Sequence, residues 1–545
     1  MQQDAKETML SISNLEVSFG DIPVLHRVSF DLKKGERVAI VGQSGSGKST
    51  TIAAVLRLLP GLGSITGGSI RLVSGADAVD IAAASEAEMR SIRGTRLGLV
   101  PQDPMSNLNP SMKVGAQIAD ALKSNGMRGR AEVQRRVVEL MTEAGIPDAE
   151  RRSGQYPHEF SGGMRQRVLI AVALAGEPDL LIADEPTSAL DVTVQRQILN
   201  HLQTLVDARG TSLLFVTHDL GLAADRTDRI IVMAEGRIVE VGTPREILLN
   251  PQEEYTRKLV AAAPSVTAAL QMEVPGAAAA SSAAPAPILE VRDLCKEFAL
   301  RGQRGGTVRA VDNVSFTVKR GTTTAVVGES GSGKTTVARI ILGLETATAG
   351  QALIDGKSIT DSRGAERRAL RRMVQPVFQD PYGSLDPTHS IERLIDEPLR
   401  IFRVGDKESR RRRVAELLDQ VALPHAVAQR RPNELSGGQR QRVAIARALA
   451  LEPELIICDE AVSALDVLVQ DQILNLLADL QDRLGLTYLF ITHDLAVVRQ
   501  IAHNVLVMKS GSVVEEGTVD KVFLRPEAQY TEELLGAIPG ASFAA

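Results

Sequence analysis

The glycine-rich stretch GQSGSGKST, from Gly42 to Thr50, returns almost unchanged as GESGSGKTT, from Gly328 to Thr336. A chain of 545 residues that repeats such a segment 286 positions further on reads as two copies of one folding unit. Three more pairs support this. FSGGMRQRV at Phe160 returns as LSGGQRQRV at Leu435, IADEPTSALDV at Ile182 as ICDEAVSALDV at Ile457, and VTHDL at Val216 as ITHDL at Ile491. These three share an offset of 275, so the first copy is longer than the second between its first two motifs. The extra residues are expected around Gly75 to Met89, as a surface insertion. Between the copies, Ala261 to Ile288 is rich in Ala, Pro and Ser and almost uncharged, which reads as a linker. The expected domains are residues 1–262 and 287–545, joined by a linker at 263–286.

Each copy alternates short apolar runs with helical periodicity. RVAIVG (Arg37 to Gly42) and TTAVVG (Thr323 to Gly328) are strands that end in glycine. LLIAD, LIICD, LLFVTH and YLFITH are continuous apolar runs, the mark of strands covered on both faces of a parallel sheet. Glu132 to Gly145 and Ser409 to Leu423 carry apolar residues at helical spacing. The expected fold is α/β: two tandem P-loop NTPase domains, each with a mainly parallel sheet core and a helical subdomain.

The pattern Gly-x4-Gly-Lys-Ser/Thr places backbone N–H groups around polyphosphate oxygens at a helix N-terminus. Glycine is needed where a β-carbon would block the phosphates. Gly42, Ser44, Gly45, Ser46, Gly47, Lys48, Ser49 and Thr50 are the expected nucleotide-binding residues of the first copy. Gly328, Ser330, Gly331, Ser332, Gly333, Lys334, Thr335 and Thr336 are those of the second. Lys48 and Lys334 reach β- and γ-phosphates, and Ser49 and Thr335 offer hydroxyls to Mg²⁺. Asp184 and Asp459 end buried strands, where they orient Mg²⁺ through water. Glu185 and Glu460 come next and face the attacking water, as base or orienting group. Gln102 and Gln379, at apparent strand ends, are placed to touch the metal or that water. His218 and His493 end strands in register with the acidic pairs, and a neutral imidazole there can bond the γ-phosphate. Ser161, Gly162 and Gly163, and Ser436, Gly437, Gly438 and Gln439, open a second helix in each copy. That pattern is an ordinary N-cap, and also a second anion-binding helix terminus. Phe19 and Phe298 close the first strand of each copy and suit either the core or an adenine face.

The net charge of −5 argues against a nucleic-acid-coating surface, and aromatic residues at 3% with no Trp argue against base stacking. No nucleic-acid partner is expected. Two cysteines in separate copies, Cys295 and Cys458, form no disulfide framework and suit a reducing compartment. The first residues have no apolar core like that of a signal peptide, and no apolar stretch reaches the roughly 18 residues of a membrane helix.

With these motifs in this order, both halves of the chain closely resemble the ATP-binding-cassette ATPases. The resemblance implies a head-to-tail sandwich of the two domains with ATP and Mg²⁺ at the interface. One site would join Lys48, Ser49, Gln102, Asp184, Glu185 and His218 to Ser436 and Gly438. The other would join Lys334, Thr335, Gln379, Asp459, Glu460 and His493 to Ser161 and Gly163. Adenine stacking on Phe19 and Phe298 is likewise what the family implies. A finer resemblance is to the peptide, nickel and opine importer ATPases. It rests on QDPMSNLNPSMKVGAQI, on QDPYGSLDP with IDEPL, and on the endings NPQEEYTRKLVAAAP and RPEAQYTEELLGAIP. It implies two separate transmembrane permease subunits, a periplasmic or extracellular solute-binding protein, and a place at the cytoplasmic face of the inner membrane. Many relatives carry a cysteine-rich iron–sulfur tail; this chain lacks those cysteines, so no iron–sulfur cluster is expected. Phe160 and Met164 depart from LSGGQ, and Ala461-Val462 replaces Pro-Thr, yet both acidic pairs remain and both sites are expected to hydrolyse. The alternative is a soluble tandem cassette acting on ribosomes. That group joins its domains by a long charged helix, unlike the short, nearly uncharged segment here.

Overall fold

The computed structural model describes residues 7–74, 77–187, 190–263, 287–299, 306–463 and 465–540. The expected linker, 263–286, lies outside these residues except for Ala263. Contacts divide the chain into two compact units, Met1–Leu270 with Pro539–Ala545, and Gln271–Ile538.

In chain order the first unit has β1 (Thr8–Phe19), β2 (Ile22–Lys33), β3 (Arg37–Val41), β4 (Gly63–Ser74), β5 (Asp77–Asp80), β6 (Leu97–Val100), β7 (Leu180–Asp184), β8 (Ser212–Val216), β9 (Arg229–Ala234) and β10 (Arg237–Gly242). The second has β11 (Pro287–Ala299), β12 (Thr307–Lys319), β13 (Thr323–Val327), β14 (Ala349–Ile354), β15 (Lys357–Ser358), β16 (Val374–Val377), β17 (Leu455–Asp459), β18 (Thr487–Ile491), β19 (Asn504–Lys509) and β20 (Ser512–Thr518). The large sheets run β10-β9-β3-β8-β7-β6 and β16-β17-β18-β13-β19-β20. They are parallel except at β10 and β20, which pair antiparallel on one edge. The runs with no polar alternation supply the centre: Val38, Ala39, Ile40 and Val41 are fully buried, as strands covered on both faces require.

Each unit also has a four-stranded antiparallel sheet, β2-β1-β4-β5 and β12-β11-β14-β15, which the sequence reading did not foresee. Its strands bury alternate residues, such as Val28, Phe30 and Leu32 on β2, and cover the helix Lys48–Val55 and one face of the parallel sheet. Helical spacing is realised in Arg130–Glu143, whose Val133, Val137, Leu140 and Met141 face the helices Val114–Ser124 and Gly162–Ala173. Burying each such side chain stabilises by about 1.5–3 kcal/mol. The helices Ile391–Phe402, Lys407–Gln420 and Gly437–Leu449 repeat this arrangement.

The extra length of the first copy is not one insertion at 75–89. The offset is 286 at the phosphate loops and 282 where Leu72 and Ile354 hold the same register on β1 and β11. It falls to 277 at Gln102 and Gln379, which bond equivalent glutamates, and to 275 at the serine-glycine helices. The additional residues are therefore shared among the entry to β4, the region from β4 to β6, and the helical subdomain. Among the described residues, no helix is long and apolar enough to cross a membrane.

Candidate functional site

β3 delivers the chain directly into the phosphate loop, and the helix Lys48–Val55 begins at the lysine itself. Gly42 has φ 150°, and a β-carbon there would lie 2.2 Å from the Met233 carbonyl oxygen, so the loop passes too close to β9 for any side chain. At Gly45 (φ 81°) the reason differs: a β-carbon would meet no protein atom within 4 Å, and the left-handed backbone there is what favours glycine. Lys48 is buried, and its ammonium donates to the carbonyls of Gly42 (2.7 Å) and Gln43 (3.1 Å). Lys334 does the same to Gly328 (2.7 Å) and Glu329 (2.8 Å). Ser44, Ser49 and Ser330 are exposed at the rim, Thr50 and Thr336 half-buried behind it. Ser46 Oγ is buried without a hydrogen-bond partner.

The acidic pair is brought to the same place because β7 lies beside β8 and one strand removed from β3. Asp184 Oδ1 is buried with no hydrogen bond. Burial first, then the neighbouring Glu185 carboxylate, push the Asp184 carboxyl up to about 6, against the pull of Lys48 and the Ser49 hydroxyl. Asp459 is raised for the same reasons and accepts the Thr335 hydroxyl at 3.3 Å. A buried carboxylate oxygen left without a hydrogen bond, beside the Ser49 hydroxyl as Asp459 is beside that of Thr335, fits a small hard cation such as Mg²⁺.

Glu185 and Glu460 stand in left-handed backbone (φ 42° and 49°), a conformation that costs a non-glycine residue energy and turns the carboxylate toward the loop. Gln102 Nε2 donates to Glu185 Oε2 at 3.0 Å, and His218 Nδ1 lies 3.2 Å from the same oxygen. In the second unit the same two groups meet different oxygens of Glu460: Gln379 Nε2 donates to Oε2 at 2.7 Å, and His493 Nδ1 lies 3.3 Å from Oε1. Burial opposes charge on Glu185, but the His218 hydrogen bond and the charges of His218 and Lys48 outweigh it, so the carboxyl lies below its ordinary value. Burial likewise opposes charge on His218, and Glu185 outweighs it, holding the imidazole above its ordinary value. The glutamine and histidine read from separate strand ends thus converge on one carboxylate.

The serine-glycine elements lie elsewhere in each unit. Ser161 and Ser436 cap the helices Gly162–Ala173 and Gly437–Leu449. The former packs on the helices Pro104–Asn107, Val114–Ser124, Arg130–Glu143 and Val192–Arg209 and on β6. Gly162 and Gly437 approach Leu190 and Leu465, whereas Gly163 and Gly438 are demanded by packing. A β-carbon at Gly163 would fall 2.6 Å from Val194 Cγ1, and one at Gly438 would fall 2.4 Å from Val469 Cγ1. In the second unit Gln439 closes a capping box with Ser436; in the first, the Met164 N–H donates to the Ser161 hydroxyl and the Met164 side chain offers no acceptor in return. Phe19 is half-buried against Gly63 and the core, and Phe298 is 41% exposed with the Lys296 ammonium 4.9 Å from its ring centroid.

The family profile described as ABC transporter matches residues 25–188 and again 311–463, more than half of the chain. The chain belongs to the ABC transporter family. A profile described as oligopeptide/dipeptide transporter, C-terminal region, matches residues 239–287. The glutathione import ATP-binding protein GsiA of Escherichia coli O157:H7 is 43% identical over 98% of this chain and 90% of its own length. Those of Salmonella choleraesuis strain SC-B67 and Escherichia coli strain K12 are each 42% identical over the same shares. As a tandem ABC protein the chain is an ATPase whose turnover is coupled to transport. The ribosomal alternative finds no support among these relatives.

One pair of residues beside the loops was not read from the sequence. The hydroxyls of Tyr255 and Tyr530, in the two tails, accept the N–H of Gln43 and Glu329. The repetition of EYTRKLV as QYTEELL at the common offset of 275 was the available signal.

Proposed function

We propose that this chain is the ATP-hydrolysing subunit of an importer for peptides or peptide-like solutes. One observation carries the reading: an oligopeptide/dipeptide transporter C-terminal region is matched at residues 239–287, in a chain whose cassette brings glutamine and histidine onto one carboxylate beside the phosphate-loop lysine. Glutathione, named for the relatives, is a short peptide of this class.

In this reading Lys48 and Lys334 exchange their loop carbonyls for β- and γ-phosphate oxygens of ATP, and the loop N–H groups hold the remaining charge. Ser49, Thr335, Asp184, Asp459, Gln102 and Gln379 hold Mg²⁺, directly or through water, and the ion when bound neutralises phosphate charge. Glu185 and Glu460 orient the attacking water and accept its proton, with Gln102, Gln379, His218 and His493 aligning the carboxylates. Ser161 with Gly163 and Ser436 with Gly438 serve the γ-phosphate bound by the other cassette, so the two domains pair when ATP is present. Phe19 and Phe298 stack on adenine. Two transmembrane permease subunits receive the motion through the segments after Gln102 and Gln379, and a solute-binding protein supplies cargo. The chain then works at the cytoplasmic face of the plasma membrane.

Purification of the tagged chain from gently solubilised native membranes tests the partners. Recovery with two multi-span permeases is expected. Recovery with ribosomes, or alone, contradicts the transport assignment while leaving the ATPase chemistry in place.

A further inference from the structure

We propose that Tyr255 and Tyr530 are positioning residues for the two phosphate loops and couple each C-terminal tail to nucleotide occupancy. The proposal rests on the reading of these loops as nucleotide sites and gives the two endings, NPQEEYTRKLVAAAP and RPEAQYTEELLGAIP, a role at those sites.

The peptide joining Gly42 to Gln43 is planar, so its carbonyl and its N–H point in opposite directions. The carbonyl accepts the Lys48 ammonium at 2.7 Å, and the N–H donates to the Tyr255 hydroxyl at 3.0 Å. Lysine and tyrosine therefore grip the two ends of one rigid plate. In the second unit the Gly328–Glu329 peptide is held in the same way, by Lys334 at 2.7 Å and Tyr530 at 3.1 Å. When phosphate draws the lysine away, the tyrosine is the group that keeps this plate, and the loop N–H groups beyond it, in their orientation.

The tyrosines are themselves fixed by a short continuous scaffold. At the turn after β9, the Gly236 N–H donates to the Ser46 carbonyl at 3.0 Å, and the chain runs on into β10. On β10, Glu240 accepts the N–H groups of Gln252 (2.8 Å) and Glu253 (3.1 Å), just ahead of the helix Glu254–Ala262 that carries Tyr255. The second unit repeats every element. Gly511 donates to Ser332 at 3.0 Å, and Glu515 accepts from Glu527 (2.9 Å) and Ala528 (3.1 Å) ahead of the helix Gln529–Leu535. Lys509 lies 4.3 Å from the Tyr530 ring centroid, a hold that Ala234 at the matching position does not supply. Thus one segment brackets the phosphate loop at two points, and in the first unit its Glu240 and Tyr255 fall in the region matched as the transporter C-terminal region. Because binding effects are reciprocal, a tail that orders the loop is itself ordered when the loop is occupied.

The test uses the full chain carrying Tyr255→Phe and Tyr530→Phe, which keep the rings and delete the acceptors. ADP affinity is measured by titration, and backbone hydrogen exchange of residues 244–263 and 519–538 is followed with and without ADP. In the wild-type chain ADP slows exchange in both tails. The variant is expected to bind ADP roughly 3- to 10-fold more weakly, the effect of one lost hydrogen bond, to raise KM for ATP more than it lowers kcat, and to lose the response of its tails to ADP. Glu240→Ala with Glu515→Ala, which frees the tails without touching the phenols, should move affinity in the same direction. Unchanged affinity together with an unchanged tail response overturns the proposal. If the wild-type chain itself fails to bind ADP, the nucleotide-site reading fails with it; if only the variants match wild type, the tyrosine proposal alone fails.

Discussion

A chain carrying Glu185→Gln and Glu460→Gln binds ATP at least as well as the wild type but hydrolyses it about 10²–10³-fold more slowly or worse. The amide cannot accept a proton from water, yet it keeps an acceptor oxygen for Gln102 and Gln379 and removes a negative charge facing the phosphates. The loop, with Lys48 and Lys334 on its carbonyls, is untouched. Steady-state turnover and equilibrium nucleotide binding on the same preparation separate the two effects. Wild-type turnover in the double variant would sink the assignment of these carboxylates. The substitution also has a sign in pH. Glu185 contributes most of what holds His218 above its ordinary value against burial, with Asp219 adding to it, so without the Glu185 charge the imidazole titrates lower than in the wild type. In the wild type, the stability from this raised group is fully present below the ordinary histidine value, roughly 6.5. It is lost as pH rises through the folded value. An imidazole proton resonance for His218 that titrates at the same pH in both chains contradicts the pairing.

Lys48→Ala removes one ATP from the stoichiometry. The ammonium is buried, and the Gly42 and Gln43 carbonyls to which it donates belong to the loop that presents it. Truncating one partner of a buried, charge-assisted contact costs about 2–5 kcal/mol, which is roughly 30- to 4,000-fold in affinity. Each unit carries its own lysine, so Lys48→Ala and Lys334→Ala each leave one tight site by calorimetry, and the double variant leaves none. Two tight sites remaining after either single change would remove the lysines from the binding role.

These residues were legible because their chemistry fixes type and spacing locally. The phosphate loop, the Asp-Glu pair and the strand-end histidine each announce themselves within ten residues. The helical core was legible too, since Val133, Val137, Leu140 and Met141 recur at helical period. Contacts between distant segments were not. Gln43 and Tyr255 are 212 residues apart, and no local pattern links them. The β1–β2–β4 sheet was missed because its half-buried strands alternate imperfectly, with register shifts such as that between Ile12 and Leu15 near Asn14, which has φ 49°. An offset between repeats told how many residues the first copy gains, but not that they spread over three places. At Gly163 and Gly438 the sequence suggested anion binding, while the structure adds that Val194 and Val469 leave no room for a β-carbon.

The central claim is that ATP hydrolysed by this chain drives entry of peptide-like solutes. Uptake of labelled glutathione and of short peptides by cells lacking the chain, and by the same cells given it back, tests that claim most directly. The account predicts that at least one such solute fails to enter without the chain, that the wild-type chain restores its entry, and that the Glu185→Gln, Glu460→Gln chain does not. Full uptake in cells lacking the chain, or restoration by the double variant, would contradict it.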